Sequence, residues 1–257
     1  MTTLIIGDIV AKSGVEFLKQ NLAKIKKQYN IDFCIANGEN AASNGITTTL
    51  AREILDAGVD VITLGNHTFD KHSESVEVLT SDLPVIRPLN YPSGTPGEGC
   101  VIVESGGFSI AVINAMGRVF LDAIDCPFRG IDAILRRIEG QAQLIFVDFH
   151  AEATSEKLAF AHHLDGRIAA LVGTHTHVQT ADETVTSKGM AYISDLGMTG
   201  PSDSILGLNK DQILSRFVTR LHTRAETGDG VIQMCGVIVE ADENTGKATS
   251  IQRICIT

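Results

Sequence analysis

Positive charge is scarce in this chain. Lysine and arginine number 21 against 31 aspartates and glutamates, giving a formal net charge of −10 and a pI near 5.2. Such a surface repels long polyanions, which argues against a sequence-independent nucleic-acid coat. Stable DNA binding is not expected, and RNA is left open only to a local basic track. The five cysteines, Cys34, Cys100, Cys126, Cys235 and Cys255, are odd in number and lack paired spacing. That pattern argues against a disulfide framework and a zinc–thiolate site, and they read as reduced core residues. The start runs from Met1 into Leu4-Ile5-Ile6 and meets Asp8 at once, with no charged n-region and no long apolar h-region. No stretch approaches the roughly 18 apolar residues of a membrane span. A cytoplasmic location is therefore the expectation. There is no internal repeat, low-complexity tract or linker, and 257 residues with 44% hydrophobic content suffice for one domain over residues 1–257.

What is present is a repeated unit of apolar run, polar tip and amphipathic segment. Residues 2–6 stop at Gly7-Asp8, and Val15, Leu18, Leu22 and Ile25 then recur at helical spacing up to about Tyr29. Asp32 to Ile35 leads into Glu39-Asn40, followed by a helix from about Thr47 to Ala57 closed by Gly58. Val59 to Leu64 leads into Gly65-Asn66-His67, and a helix from Asp70 to about Thr80 is expected. Residues 83–100 hold four of the six prolines and form an irregular connection of the kind that borders sites, with a short strand at Val85-Ile86. Residues 100–104 and 108–114 flank Gly106-Gly107 as an antiparallel hairpin, so the sheet is mixed. Helices are expected over 132–140, 155–164 and 211–221. Strands are expected over 144–147, ending at Asp148-Phe149-His150, over 168–172, ending at His175-Thr176-His177, and over 190–193. A turn is expected at 197–201, and a final hairpin joins 231–240 to 248–256.

The polar tips carry the chemistry. Asp8, Glu39, Asn40, Asn66, His67, His150, His175 and His177 follow five separate strands and offer carboxylate, amide and imidazole donors, the ligand types of hard and borderline divalent ions. Taken singly, each has a structural explanation. Asp8 serves as a helix cap, Asp70 equally as a helix cap or as a residue that orients His67, Asn40 and Asn66 as turn residues, and His150 as a hydrogen-bonded histidine. His175 and His177, two apart on an extended chain, share one side and point more specifically to metal. Eight candidates are too many for one ion, and a pair sharing one carboxylate uses them well. Arg118 is a candidate phosphate contact or a surface ion-pair partner. His72, His162, His163 and His222 remain without a role.

The blocks Gly7-Asp8, Asn37-Gly38-Glu39-Asn40-Ala41-Ala42, Gly65-Asn66-His67-Thr68, the stretch from Asp148 to Lys157, that from Gly173 to Thr180, and Gly197 to Pro201 together span nearly the whole chain. In them the sequence resembles the calcineurin-like metallophosphoesterases, and within these the bacterial YmdB-like phosphodiesterases. The resemblance implies an α/β fold: a two-sheet mixed β-sandwich flanked by helices, with a dimetal centre at the strand ends. It implies that Asp8, Glu39, Asn40 and His177 hold one ion, and that Glu39, Asn66, His150 and His175 hold the other. His67 is implied as the acid for the leaving oxygen. Most of the superfamily places Asp at the bridging position, whereas this chain, like the YmdB-like branch, has Glu39. Iron or manganese is implied, with zinc and cobalt compatible with the donor set.

The expected reaction is hydrolysis of small phosphodiesters, cyclic nucleotides of the 2′,3′ and 3′,5′ forms among them. A hydroxide shared by two cations would attack in line while His67 protonates the departing alkoxide. A phosphomonoesterase on the same centre is the alternative within enzymology. A nucleotide-binding regulatory or scaffold protein with little turnover is the alternative outside it, and ribonuclease action on long RNA is weakened by the acidic balance. A homo-oligomer is compatible with the sequence.

Overall fold

A computed structural model describes residues 1–221 and 224–257. His222 lies outside the described residues. In chain order the elements are β1 (Thr2–Ile6), β2 (Asp8–Ile9), α1 (Ala11–Gln28), β3 (Phe33–Asn37), α2 (Thr48–Asp56), β4 (Val61–Thr63), α3 (His72–Leu79) and β5 (Val85–Ile86). They continue with β6 (Cys100–Ser105), β7 (Phe108–Met116), α4 (Pro127–Arg137), β8 (Leu144–His150), α5 (Thr154–Leu164), β9 (Ala170–Thr174), β10 (Thr184–Val185) and β11 (Ala191–Ile193). The last four are β12 (Met198–Leu208), α6 (Lys210–Thr219), β13 (Thr227–Asp242) and β14 (Lys247–Ile256).

Two mixed sheets form. The first runs β2-β12-β13-β1-β3-β4-β5, with β14 also paired to β13, and the second runs β10-β11-β9-β8-β7-β6. Period-two alternation along the strands explains why they stack. In β1, Leu4 and Ile6 face one core cluster while Ile5 faces another, and in β3 Cys34 and Ala36 part from Phe33 and Ile35 in the same way. The cluster between the sheets joins Ile5, Phe33, Ile35 and Val61 of the first to Ile110, Val112, Phe146 and Val172 of the second. Each outer face is closed by helices. The Val15, Leu18, Leu22 and Ile25 stripe of α1 packs on the first sheet, and Ile131 of α4 with Phe160 and Leu164 of α5 covers the second. The expected two-sheet mixed sandwich flanked by helices is therefore the observed architecture.

Several boundaries differ from the sequence reading. α4 begins at Pro127, five residues before the expected Asp132, because proline is preorganised for the first helical turn. The expected turn at 197–201 is the start of strand β12, which pairs parallel with β2 and antiparallel with β13. β2 ends opposite Thr199, so Pro201 falls where that flank of β12 is no longer paired. α3 starts at His72 and is capped by no side chain, which leaves Asp70 in the preceding turn. Cys255 is exposed rather than in the core, and it faces Cys235 across the β13–β14 ladder with the sulfurs 3.1 Å apart; all five thiols are free.

The proline-rich connection 83–99 is knitted by a buried guanidinium. Arg87 donates to the carbonyls of Pro96, Pro88 and Thr95 at 3.0, 2.8 and 3.0 Å. Phe160 stacks on Phe149 at 4.1 Å and meets Phe128 edge-on at 5.1 Å. Replacing Phe160 by Ala is expected to cost about 3–5 kcal/mol through the lost burial and the cavity left behind. Urea unfolding of wild type and variant measures it.

Candidate metal centre

The eight polar-tip residues come from both sheets. Asp8, Glu39, Asn40, Asn66 and His67 lie in or after β2, β3 and β4 of the first sheet, while His150 ends β8 and His175 and His177 follow β9 of the second. The centre therefore sits where the ends of two stacked sheets face each other, not along the edge of one.

Glu39, His150 and His175 each place a ligand atom within 4.8 Å of the others. His150 Nε2 lies 3.0 Å from Glu39 Oε1, 2.8 Å from Asn66 Oδ1 and 3.0 Å from His175 Nδ1. On the other side, His177 Nε2 lies 3.6 Å from Asp8 Oδ1 and 3.2 Å from the Asn40 amide nitrogen. Glu39 stands between the halves, its Oε1 also 3.1 Å from Asn40 Nδ2. A ligand role for the Asn40 oxygen requires its amide to flip. Gly65 leaves the room this packing needs, since a Cβ there would lie 2.3 Å from Glu39 Oε2 and 2.4 Å from the His150 ring.

Hydrogen bonds on the far side of each ring decide which nitrogen faces inward. The Thr174 hydroxyl donates to Asp148 Oδ1 at 2.7 Å, so it accepts from His150 Nδ1 at 2.9 Å and leaves the His150 Nε2 lone pair facing the centre. His177 Nδ1 donates to the Leu206 carbonyl at 3.1 Å, which turns its Nε2 inward. His175 Nε2 donates to Glu152 Oε2 at 3.0 Å and leaves Nδ1 facing His150. Several acceptor atoms thus converge on one spot with few hydrogens to share among them. Asp8 Oδ1 is buried and has no hydrogen-bond partner among the described residues. A convergent set of carboxylate, amide and imidazole acceptors with an orphaned carboxylate oxygen fits divalent cations.

The electrostatics follow from this crowding. Burial works against charge on Asp8, but His177 and then His150 outweigh it and hold its carboxyl at about 2. Burial likewise opposes charge on His177, yet the Asp8 carboxylate lifts that imidazole to about 9. Burial and the neighbouring His150 push His175 down to about 4. Burial raises Asp148 to about 6 despite its partners.

Two expectations are revised. His175 and His177 do not lie on an extended chain: β9 ends at Thr174, and both adopt left-handed backbones with φ of 97° and 62°. Asp195 bends this segment by accepting from the Thr176 N–H at 3.1 Å and its hydroxyl at 2.8 Å, and Asp195 is itself held by buried Lys157 at 2.9 Å. Such strain on non-glycine residues persists where the surroundings over-determine it. Capping by Asp8 is also not found, the α1 N-cap being Val10 without a side-chain bond; of the two readings of Asp70, orienting His67 is the observed one, its Oδ2 meeting His67 Nδ1 at 2.8 Å, and it caps no helix. His67 is further fixed by its N–H on Glu39 Oε2 at 3.1 Å. Arg118 is exposed, its side chain has no ion pair among the described residues, and it does not line the cleft. The 83–99 connection stays outside the cleft as well, supporting the His67 turn through Tyr91 packed edge-on against Phe69 at 5.3 Å. The sequence reading gave no role to Asp148, Thr174, Thr63, Asn37, Glu152 or the Lys157–Asp195 pair. A charged Asp148 inside the apolar run of β8 was the signal available.

A cleft of about 390 Å³ opens over the centre, lined by Glu39, Asn40, His67, His175 and His177, with Val10, Leu206 and Leu208 as its apolar wall. The fold around it is that of a calcineurin-like phosphoesterase, YfkN from Bacillus subtilis, which superimposes with a TM-score of 0.65 at 12% identity over 100% of this chain and 90% of that one. A crystal structure of a phosphatase from Mycoplasma pneumoniae superimposes with a TM-score of 0.93 at 33% identity, covering 100% and 93%. A Bacillus subtilis protein named 2′,3′-cyclic-nucleotide 2′-phosphodiesterase is 45% identical over 100% of this chain and 97% of its own length. The family model described as YmdB-like protein matches residues 4–254, which takes in all eight polar-tip positions, and the chain belongs to that family.

Proposed function

We propose that this protein is a metal-dependent phosphodiesterase acting on small cyclic phosphodiesters, with 2′,3′-cyclic nucleotides as the first substrate class and 3′,5′-cyclic nucleotides as the second. The observation that carries the reading is the convergence of His150 Nε2, Glu39 Oε1, Asn66 Oδ1 and His175 Nδ1 beside the unpartnered Asp8 Oδ1. The substrate class rests on the Bacillus subtilis relative named for 2′,3′-cyclic nucleotides. In this assignment Asp8, Glu39, Asn40 and His177 hold one ion, and Glu39, Asn66, His150 and His175 hold the other. Iron or manganese is the proposed occupant. When bound, such ions lower the pKa of water and neutralise charge on phosphoryl oxygens.

The protein's own residues then do three things. Thr174, Leu206 and Glu152 hold the imidazole tautomers, so no ring has to turn when substrate arrives. Val10, Leu206 and Leu208 give an apolar wall against which a nucleoside packs, and the cleft volume lies in the range of small-ligand sites. His67, held at Nδ1 by Asp70, presents Nε2 for delivery of a proton to the departing ribose oxygen. A phosphomonoesterase reading draws its support from the Mycoplasma pneumoniae phosphatase, and paired mono- and diester substrates separate the two.

Three outcomes test this reading. Manganese-loaded protein is expected to hydrolyse 2′,3′-cyclic AMP, and an inert protein carrying two ions would overturn the assignment. His67→Ala is expected to lower kcat on 2′,3′-cyclic AMP by about 10²–10⁴-fold. The same variant should lose far less on bis-p-nitrophenyl phosphate, whose leaving group needs no proton, and equal losses would remove His67 from the acid role. Metal titration followed by calorimetry in buffers of different ionisation enthalpy is expected to show two ions bound and protons released at pH 7. The protonated state of His177 persists up to about 9, so apparent affinity should rise with pH until that point. Affinity flat between pH 6 and 9 would exclude His177 as a ligand.

A further inference from the structure

His177 also lines a second cleft, of about 490 Å³, whose walls include Cys235 and Cys255. Cys235 of β13 stands directly opposite Cys255 of β14, with the two sulfurs 3.1 Å apart. The Cys235 carbonyl accepts from the Gly7 N–H at 3.0 Å, so the main-chain polar groups of Cys235 point toward β1 and away from β14. The two cysteines are therefore a non-hydrogen-bonded cross-strand pair, the kind in which Cα atoms approach to about 4.5 Å and side chains lie closest. That separation falls within the range of about 4.4–6.8 Å that a disulfide spans. Register already puts both side chains on one face, and neither strand has to turn for the sulfurs to join.

The two thiols differ in what reaches them. Cys255 is exposed, whereas Cys235 is buried. Burial, and then the Cys255 sulfur beside it, push the Cys235 thiol up to about 12. A reagent from solvent therefore meets Cys255 first. Cys235 is also fixed in place: a Cβ added at Gly197 would lie 2.9 Å from Cys235 Cβ, and the Gly197 carbonyl accepts from the Asp8 N–H at 3.1 Å. Closure of a bond falls to Cys255, one residue from the end of β14. The same ladder supports the segment that carries His177. Gln179, two residues further on, donates through Nε2 to the carbonyls of Gly236 at 3.0 Å and Ile254 at 3.2 Å, and these are the residues next to the two cysteines.

We propose that Cys235 and Cys255 are a thiol–disulfide site, oxidised by a low-molecular-weight disulfide of the glutathione type to a reversible crosslink that fastens β14 to β13 beneath the His177 segment. The Cys255 thiolate attacks one sulfur of the reagent and releases a first small thiolate, which takes up the proton that Cys255 lost. Cys235 then gives up its proton and attacks the Cys255 sulfur of the mixed disulfide, and the second small thiolate leaves with that proton. Two protein thiols are oxidised, one reagent disulfide is reduced to two thiols, and neither metal nor substrate takes part. A bond with one exposed sulfur belongs to the labile class that forms and breaks with the surrounding redox poise. The site stands apart from the phosphodiesterase reading and is tested without turnover.

The test incubates the full chain, manganese-loaded, with oxidised glutathione and follows it by intact mass and by peptide mapping after alkylation under denaturing conditions. Wild type is expected to become lighter by two hydrogens without a glutathione adduct, to yield a peptide pair linking Cys235 to Cys255, and to leave Cys34, Cys100 and Cys126 open to alkylation. Dithiothreitol is expected to reverse the change. Cys235→Ser is expected to stop at a glutathione adduct on Cys255, because the thiol that would displace it is gone. In wild type the crosslink is expected to raise the thermal midpoint by about 5 °C, and Cys255→Ser is expected to show no such rise. A wild type that accumulates the Cys255 adduct as Cys235→Ser does, or that links other cysteines instead, would overturn the site. A crosslink that leaves the midpoint unchanged would overturn the fastening of β14.

Discussion

The carboxylate of Asp148 ties the two sheets together at the point where the centre is built. One oxygen accepts from Thr63 and Asn37 of the first sheet, at 2.5 and 3.0 Å, and the other from Thr174 of the second at 2.7 Å. Its main chain is held as well, since Asn114 donates to the Asp148 carbonyl at 3.3 Å while accepting from the Leu64 N–H at 3.2 Å. A buried carboxylate without donors is costly, and one satisfied from both sides locks their relative position. The register of the sheets, the direction of the His150 ring and the inward lone pair on its Nε2 all depend on this one group.

The ligand cluster itself is a concentration of unfavourable burial. Asp8 and Glu39 are almost fully excluded from solvent a short distance apart, and His150 is buried between them. Like charges so placed repel, and desolvation opposes each of them. The imidazoles offset this in part, which is why Asp8 and His177 shift in opposite directions. The left-handed backbones at His175 and His177, the bare Gly65 and the buried Lys157–Asp195 pair that shapes the Thr176 turn are what it takes to hold such a group of atoms together. Stability is spent here on geometry, and the apolar alternation of the strands supplies it.

Much of the fold was legible because the strands alternate strictly. Leu4 and Ile6 against Ile5, or Ile110 and Val112 against Ala111 and Ile113, announce strands with two buried faces. β12 escaped because its opening residues, Met198-Thr199-Gly200-Pro201, carry turn chemistry, and only pairing with β2 and β13 makes them a strand. The ligand residues were readable as donor types at strand tips. Their partners were not: Thr174, Glu152 and Leu206 act through contacts between segments 23 to 29 residues apart, and in no case does local composition reveal such a contact.

The sequence by itself determined which atoms are available for chemistry, because residue type sets donor chemistry and strand periodicity sets where polar tips fall. It also determined the family, through blocks that run the length of the chain. The tertiary structure alone decided which ring nitrogen faces inward, and chose between the two readings of Asp70, which holds His67 and caps no helix. The reason is physical: tautomers, ion pairs and clefts are set by distances of a few ångströms between residues far apart in the chain, and those distances exist only once the two sheets have packed.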